Sequence, residues 1–127
     1  MNRINSEWIY NCFPSLYRGR AKPPSEGLMC FGFECEDGWN EIIYSLSKCL
    51  TELEEDIEML QVKEKFGMLR FYTNGHSEKA DTCIREAEKR SAVTCELCGD
   101  RGWLHIKGSW VKTLCEDCAQ EEGYKTY

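Results

Sequence analysis

The sequence predicts an α+β fold: a small sheet centred on a β-hairpin, two helices packed against it, and a C-terminal four-cysteine zinc ribbon. Three observations carry this. Apolar residues recur at intervals of three and four from Trp39 to Ile57, and more narrowly from Ala80 to Ala87. Between these segments the period drops to two, over Leu60–Lys65 and Met68–Thr73. Finally, two Cys-x-x-Cys pairs close the chain, Cys95/Cys98 and Cys115/Cys118, with sixteen residues between them.

Taken in order, residues 1–36 read as an irregular arm. Pro14, Pro23 and Pro24 interrupt it, and Arg18, Arg20 and Lys22 form a run without an acid. Its large apolar residues, from Trp8, Ile9, Tyr10, Phe13, Leu16 and Tyr17 to Leu28, Met29, Phe31 and Phe33, predict that it packs across the domain. Residues 37–92 form a helix–hairpin–helix core. Asp37 is the expected N-cap of the first helix, with Glu41 in its first turn where the dipole favours an acid. The stripe Trp39, Ile42, Ile43, Leu46, Cys49, Leu50, Leu53 and Ile57 predicts one continuous helix, and Glu52, Glu54, Glu55, Asp56 and Glu58 a solvated face.

With Phe66-Gly67 as a two-residue loop, Lys65 pairs with Met68, Lys63 with Arg70 and Gln61 with Tyr72. Val62, Glu64, Leu69 and Phe71 then share the inner face. Phe-Gly is not a favoured pair for such a loop, so a bulged connection is the alternative. Asn74-Gly75 turns the chain into a second helix, about Ser77–Ala92, capped by Ser77. Its face of Ala80, Cys83, Ile84 and Ala87 places Cys83, like Cys49, in the core. The whole is expected to be a single domain, its third part residues 93–127.

Each Cys-x-x-Cys turn offers two thiolates to one ion, and two such turns complete the tetrahedral sulfur set that suits zinc. Gly99 supplies the positive φ after the first pair. Trp103–Ile106 and Trp110–Leu114 read as strands about a Lys107-Gly108-Ser109 turn. With Cys95, Cys98, Cys115 and Cys118 all ligating, the site has no open position, so one structural zinc per chain is expected. Trp103 and Trp110 are expected to cover the small ribbon core, and His105 to pack or bond a carbonyl. Cys12, Cys30 and Cys35 read as buried thiols, with a second metal site involving His76 or His105 as the alternative.

The chain has 127 residues, 42% hydrophobic and 30% charged, and 22 acids against 16 bases for a net charge of −6. This balance excludes a uniformly basic nucleic-acid-coating protein. No apolar run reaches the ~18 residues of a membrane helix. The start carries no secretory h-region, so a reducing cytoplasm is expected. No hydrolase, metalloprotease, phosphate-loop or dinucleotide pattern is present, and no catalytic residue is assigned. Outside the metal site, Lys63, Lys65, Arg70 and Tyr72 share one hairpin face. Together with Arg18, Arg20 and Lys22 they form the candidate patch for an anionic ligand, a phosphate backbone or an acidic partner.

The blocks ECEDGWNEII, QVKEKFGMLRFY, EAEKRSAVTCELCG and WVKTLCEDC, in that order, resemble a group of small uncharacterised bacteriophage and prophage proteins. These carry a Gly-Trp-led helix, a VKEKFGxLRFY hairpin and a terminal CxxCG…LCxxC zinc ribbon. The resemblance spans about residues 28–118. It implies the same four zinc ligands and a phage accessory protein acting in the host bacterial cytoplasm. It transfers no catalytic residue. The expected function is a non-enzymatic binding module on a host protein or signalling ligand, in the specific form an inhibitor of a bacterial defence system. A nucleic-acid-binding regulator, and a binder or hydrolase of a nucleotide signal, are the alternatives.

Overall fold

The computed structural model describes residues 1–75 and 77–127. Its architecture is α+β, with four helices and two three-stranded sheets. Helix α1 (Arg3–Cys12) is followed by two short 3₁₀ turns and strand β1 (Phe33–Glu34). Then come α2 (Asn40–Glu52), β2 (Met59–Lys65), β3 (Met68–Thr73) and α3 (Glu78–Ser91). The ribbon comprises β4 (Trp103–Lys107), β5 (Trp110–Leu114), α4 (Glu116–Glu122) and β6 (Lys125–Thr126). None of the helices is long and apolar enough to cross a membrane among the described residues.

The arm is more ordered than its composition predicts. Asn2 caps α1 by accepting from the Asn5 N–H at 2.8 Å. A ten-residue helix is marginal alone, and α1 is held by docking. The Phe13 ring meets Tyr44 of α2 edge-on, and Tyr10 stacks on Phe33 of β1. Ile9, Tyr10, Phe13, Leu16, Tyr17, Met29 and Phe33 are buried as expected, whereas Trp8 and Phe31 are exposed.

Asp37 does not cap α2. A single 3₁₀ turn, Asp37–Trp39, precedes that helix, and no side chain caps it. The Asp37 carboxylate instead accepts from the backbone N–H of Asn2 at 2.7 Å and the amide of Asn5 at 3.2 Å. These bonds, the Asn2 N–H foremost, hold its pKa below the ordinary aspartate value. It therefore ties the start of α1 to the start of α2.

Helix α2 also ends early, at Glu52 rather than Ile57. Glu54 takes a left-handed φ of +57°, and acids crowd where the helix dipole disfavours them. Glu58 is consequently not part of a solvated face: it is buried and receives Lys22 at 3.0 Å.

Helices α2 and α3 pack together, and Ser77 caps α3 as expected, by accepting from the Ala80 N–H. Cys49 and Cys83 lie in the core as expected, and the two form a disulfide between these helices. They occupy facing apolar stripes with Cα atoms 6.2 Å apart, within bridging reach. Closing a 34-residue separation removes unfolded-state entropy. Replacing both cysteines by alanine is expected to cost about 3 kcal/mol in urea unfolding of the zinc-loaded protein. A change below about 0.5 kcal/mol would show that packing alone joins the helices.

The first sheet runs β1-β2-β3, with β1 parallel and β3 antiparallel to β2. The hairpin register is the predicted one, with Lys65 opposite Met68, Lys63 opposite Arg70 and Gln61 opposite Tyr72. Phe66 and Gly67 both adopt positive φ, at +54° and +83°. The ribbon stabilises this unfavoured loop: Thr113 Oγ1 donates to the Gly67 carbonyl at 2.6 Å. The free edge of β3 is covered by α3, where Ser91 Oγ accepts the Leu69 N–H at 3.0 Å.

Candidate metal centre

The first Cys-x-x-Cys turn is built by its own backbone. Gly99 N–H donates to Cys95 O at 3.0 Å and Cys95 N–H to Asp100 O at 2.6 Å. Gly99 takes the expected positive φ, +86°. The second turn starts α4: Cys115 is its N-cap and its sulfur accepts the Cys118 N–H at 3.4 Å. The hairpin β4–β5 brings the turns together.

The four predicted sulfurs, of Cys95, Cys98, Cys115 and Cys118, all lie within 4.8 Å of one another. Cys98 and Cys115 are 3.6 Å apart. Tetrahedral coordination at ~2.3 Å per Zn–S bond needs sulfurs about 3.8 Å apart, so this donor set fits a thiolate-bound ion such as zinc.

Its electrostatics are those of a ligand cage. Burial raises the Cys95 thiol pKa, but amide N–H groups of Cys115, Cys98 and Leu97 outweigh it and leave the pKa lowered. Burial, together with bonds among the sulfurs, raises Cys98 and Cys118. Four crowded thiols resist ionising together, and a bound divalent cation would compensate the accumulated negative charge.

The cage is anchored in the main core through Glu96, which is 1% exposed. Its carboxylate receives Lys112 Nζ at 3.0 Å and the Glu36 N–H at 3.2 Å. Burial raises its pKa, and Lys112 opposes the shift. Its backbone carbonyl accepts the Gly38 N–H at 2.7 Å, and its N–H donates to Thr113 O at 2.9 Å. Trp39 Nε1 donates to Thr94 O at 2.8 Å alongside. Sequence reasoning missed Glu96, Lys112 and Gly38 as site-supporting residues. A glutamate between two ligand cysteines carries no local mark of burial.

The tryptophan expectation is corrected. Trp103 is 42% and Trp110 68% exposed. The ribbon interior is instead filled by Cys95, Leu114 and Ala119, with Leu97 and Tyr124 packed against them. His105 is buried as expected and its Nδ1 donates to Trp103 O at 2.8 Å.

The seven cation-patch residues do not form one patch. Arg18 contacts Asp56 at 2.9 Å and Glu58 at 3.5 Å, Lys22 contacts Glu58, and Arg20 contacts Glu7 at 3.2 Å. This cluster sits at the start of β2. Lys65, seven residues on in extended chain, lies about 23 Å farther along. Lys63, Lys65, Arg70 and Tyr72 do share the outer hairpin face. The cysteine quartet is the one metal-ligand cluster among the described residues. Cys12 and Cys30 are exposed rather than buried; Cys35 is buried, and burial pushes its thiol up to about 12. His76 lies outside the described residues, and His105 is committed to the ribbon.

Comparison of the chain with known protein families, with characterised proteins and with solved structures finds no match.

Proposed function

We propose that this chain is a zinc-stabilised, non-enzymatic binding module, a phage accessory protein acting on a host protein in the bacterial cytoplasm, where Cys49 and Cys83 would be held as a facing thiol pair that closes on oxidation. Inhibition of a defence system is the specific form. The carrying observation is the four-sulfur cage, with Cys95, Cys98, Cys115 and Cys118 mutually within 4.8 Å. Four protein thiolates fill a tetrahedral zinc ion and leave no position for water or substrate, so the ion would hold shape rather than do chemistry. The shape it holds presents Trp103 and Trp110 outward, residue types that anchor protein interfaces. The phage assignment comes from the block resemblance.

The nucleic-acid alternative loses support from the arm, because Arg18, Arg20 and Lys22 are already engaged by the chain's own acids. The test is affinity capture with tagged, zinc-loaded protein from bacterial lysate, with and without nuclease. A stoichiometric protein partner that survives nuclease is the expected result. Nucleic acid alone, or nothing, would overturn the reading.

A further inference from the structure

We infer that the outer face of the β2–β3 hairpin docks an acidic segment of a protein partner. This rests on the binding-module reading and names the surface that module would use. The register places three cross-strand rows on that face: Gln61 with Tyr72, Lys63 with Arg70, and Lys65 with Met68. The opposite face, with Val62, Leu69 and Phe71, is buried in the core. Tyr72 is 44% exposed, Lys65 is exposed, and the other four are partly buried. Beyond Lys65, the Phe66 ring at the tip is 72% exposed, with the Lys65 ammonium 5.8 Å from its centre.

Charge selects the partner. Arg18, Arg20, Lys22 and Lys112 are each answered by acids of this chain. Lys63 and Lys65 have no ion pair among the described residues, although the chain carries 22 acids against 16 bases. Burial raises the pKa of Glu88 at the sheet edge, and Arg70 nearby opposes that shift. Lys63, Lys65 and Arg70 outnumber Glu34 and Glu88 beside them, which leaves a local positive excess on an acidic protein, complementary to a carboxylate-bearing surface.

A polypeptide fits this face better than a phosphate chain. Glu34 stands beside Lys63 across the β1–β2 register, held by Gln61 Nε2 at 3.2 Å. A continuous polyanion would have to pass that carboxylate, whereas separate acidic side chains would not. Tyr72, Arg70 and Met68 are also types enriched at protein interfaces.

The experiment places a photo-cross-linking p-benzoylphenylalanine at Tyr72 or at Trp110 in the full zinc-loaded chain. Each is irradiated in bacterial lysate and the attached peptide is sequenced. The expected result is a nuclease-resistant cross-link from position 72 to an Asp/Glu-rich peptide. Its yield should fall about tenfold in the Lys63→Glu/Lys65→Glu variant, at unchanged zinc content, and likewise between about 50 and about 300 mM salt. Attachment from 110 but not 72 would overturn the inference and leave the binding-module reading standing. An oligonucleotide attached at 72, or a peptide without acids, would also overturn it. No attachment from either position would defeat both.

Discussion

Replacing Cys115 with serine is expected to abolish stoichiometric zinc and unfold residues 93–127. Cys115 contributes two things, one ligand sulfur, 3.6 Å from that of Cys98, and the N-cap of α4; serine keeps the cap, so the variant removes the sulfur alone. The apolar ribbon core is only Cys95, Leu114 and Ala119 with a few partly buried neighbours. So small a cluster cannot hold β4, β5, α4 and β6 against chain entropy. A structural zinc ion contributes an apparent ~10–16 kcal/mol in finger peptides, as much as the whole net stability of an ordinary domain. The loss should spread, because Glu96 joins the first cysteine turn to Glu36 and Gly38. Metal analysis should show one zinc per wild-type chain and a small residue in the variant. Near-ultraviolet dichroism from Trp103 and Trp110 should collapse, and a chelator acting on wild type should reproduce both effects. A variant that keeps full zinc and the native spectrum would disprove the cage.

Gly38→Ala should cost about 4 kcal/mol, at the upper end of what a single clash produces. A Cβ there would lie 2.2 Å from Cys95 O and 2.5 Å from both the carbonyl carbon and oxygen of Glu96. All three atoms are backbone, fixed by the cysteine turn, so no rotamer change relieves the contact. Relief requires the 3₁₀ turn before α2 to move off the ribbon. That would break the 2.7 Å bond from Gly38 N–H to Glu96 O and bare the buried Glu96 carboxylate. Gly75→Ala, with nothing within 4 Å of the new Cβ, is the control and should change stability by less than about 1 kcal/mol. Urea unfolding of both variants decides the matter, and a Gly38→Ala cost under about 1 kcal/mol would mean that the two parts are not in rigid contact.

Much of the core and the whole four-cysteine cluster are legible in the sequence because they rest on local periods. Alternation over Leu60–Thr73 specifies which hairpin residues face inward, and a register slip would bury Lys63 and Arg70 in place of Val62 and Phe71. Two Cys-x-x-Cys turns need only their own backbone to aim their sulfurs. The short elements are a different case. Helix α1 and strands β1 and β6 exist only against their partners, and their residues look irregular when read alone. The early end of α2 was within reach of sequence reasoning, since five acids between Glu52 and Glu58 oppose a helix C-terminus.

Fold class, hairpin register and the four cysteines that cluster were therefore readable from the sequence. Each follows from the spacing of near neighbours along the chain. Tertiary structure alone decided that Cys49 meets Cys83, that the arm cations meet Asp56, Glu58 and Glu7, and that Glu96 is buried while Trp110 is not. These outcomes depend on which segments approach one another across 13 to 60 residues of chain. Burial and ion pairing belong to that approach, because a side chain's solvation is set by what covers it and not by its neighbours in sequence.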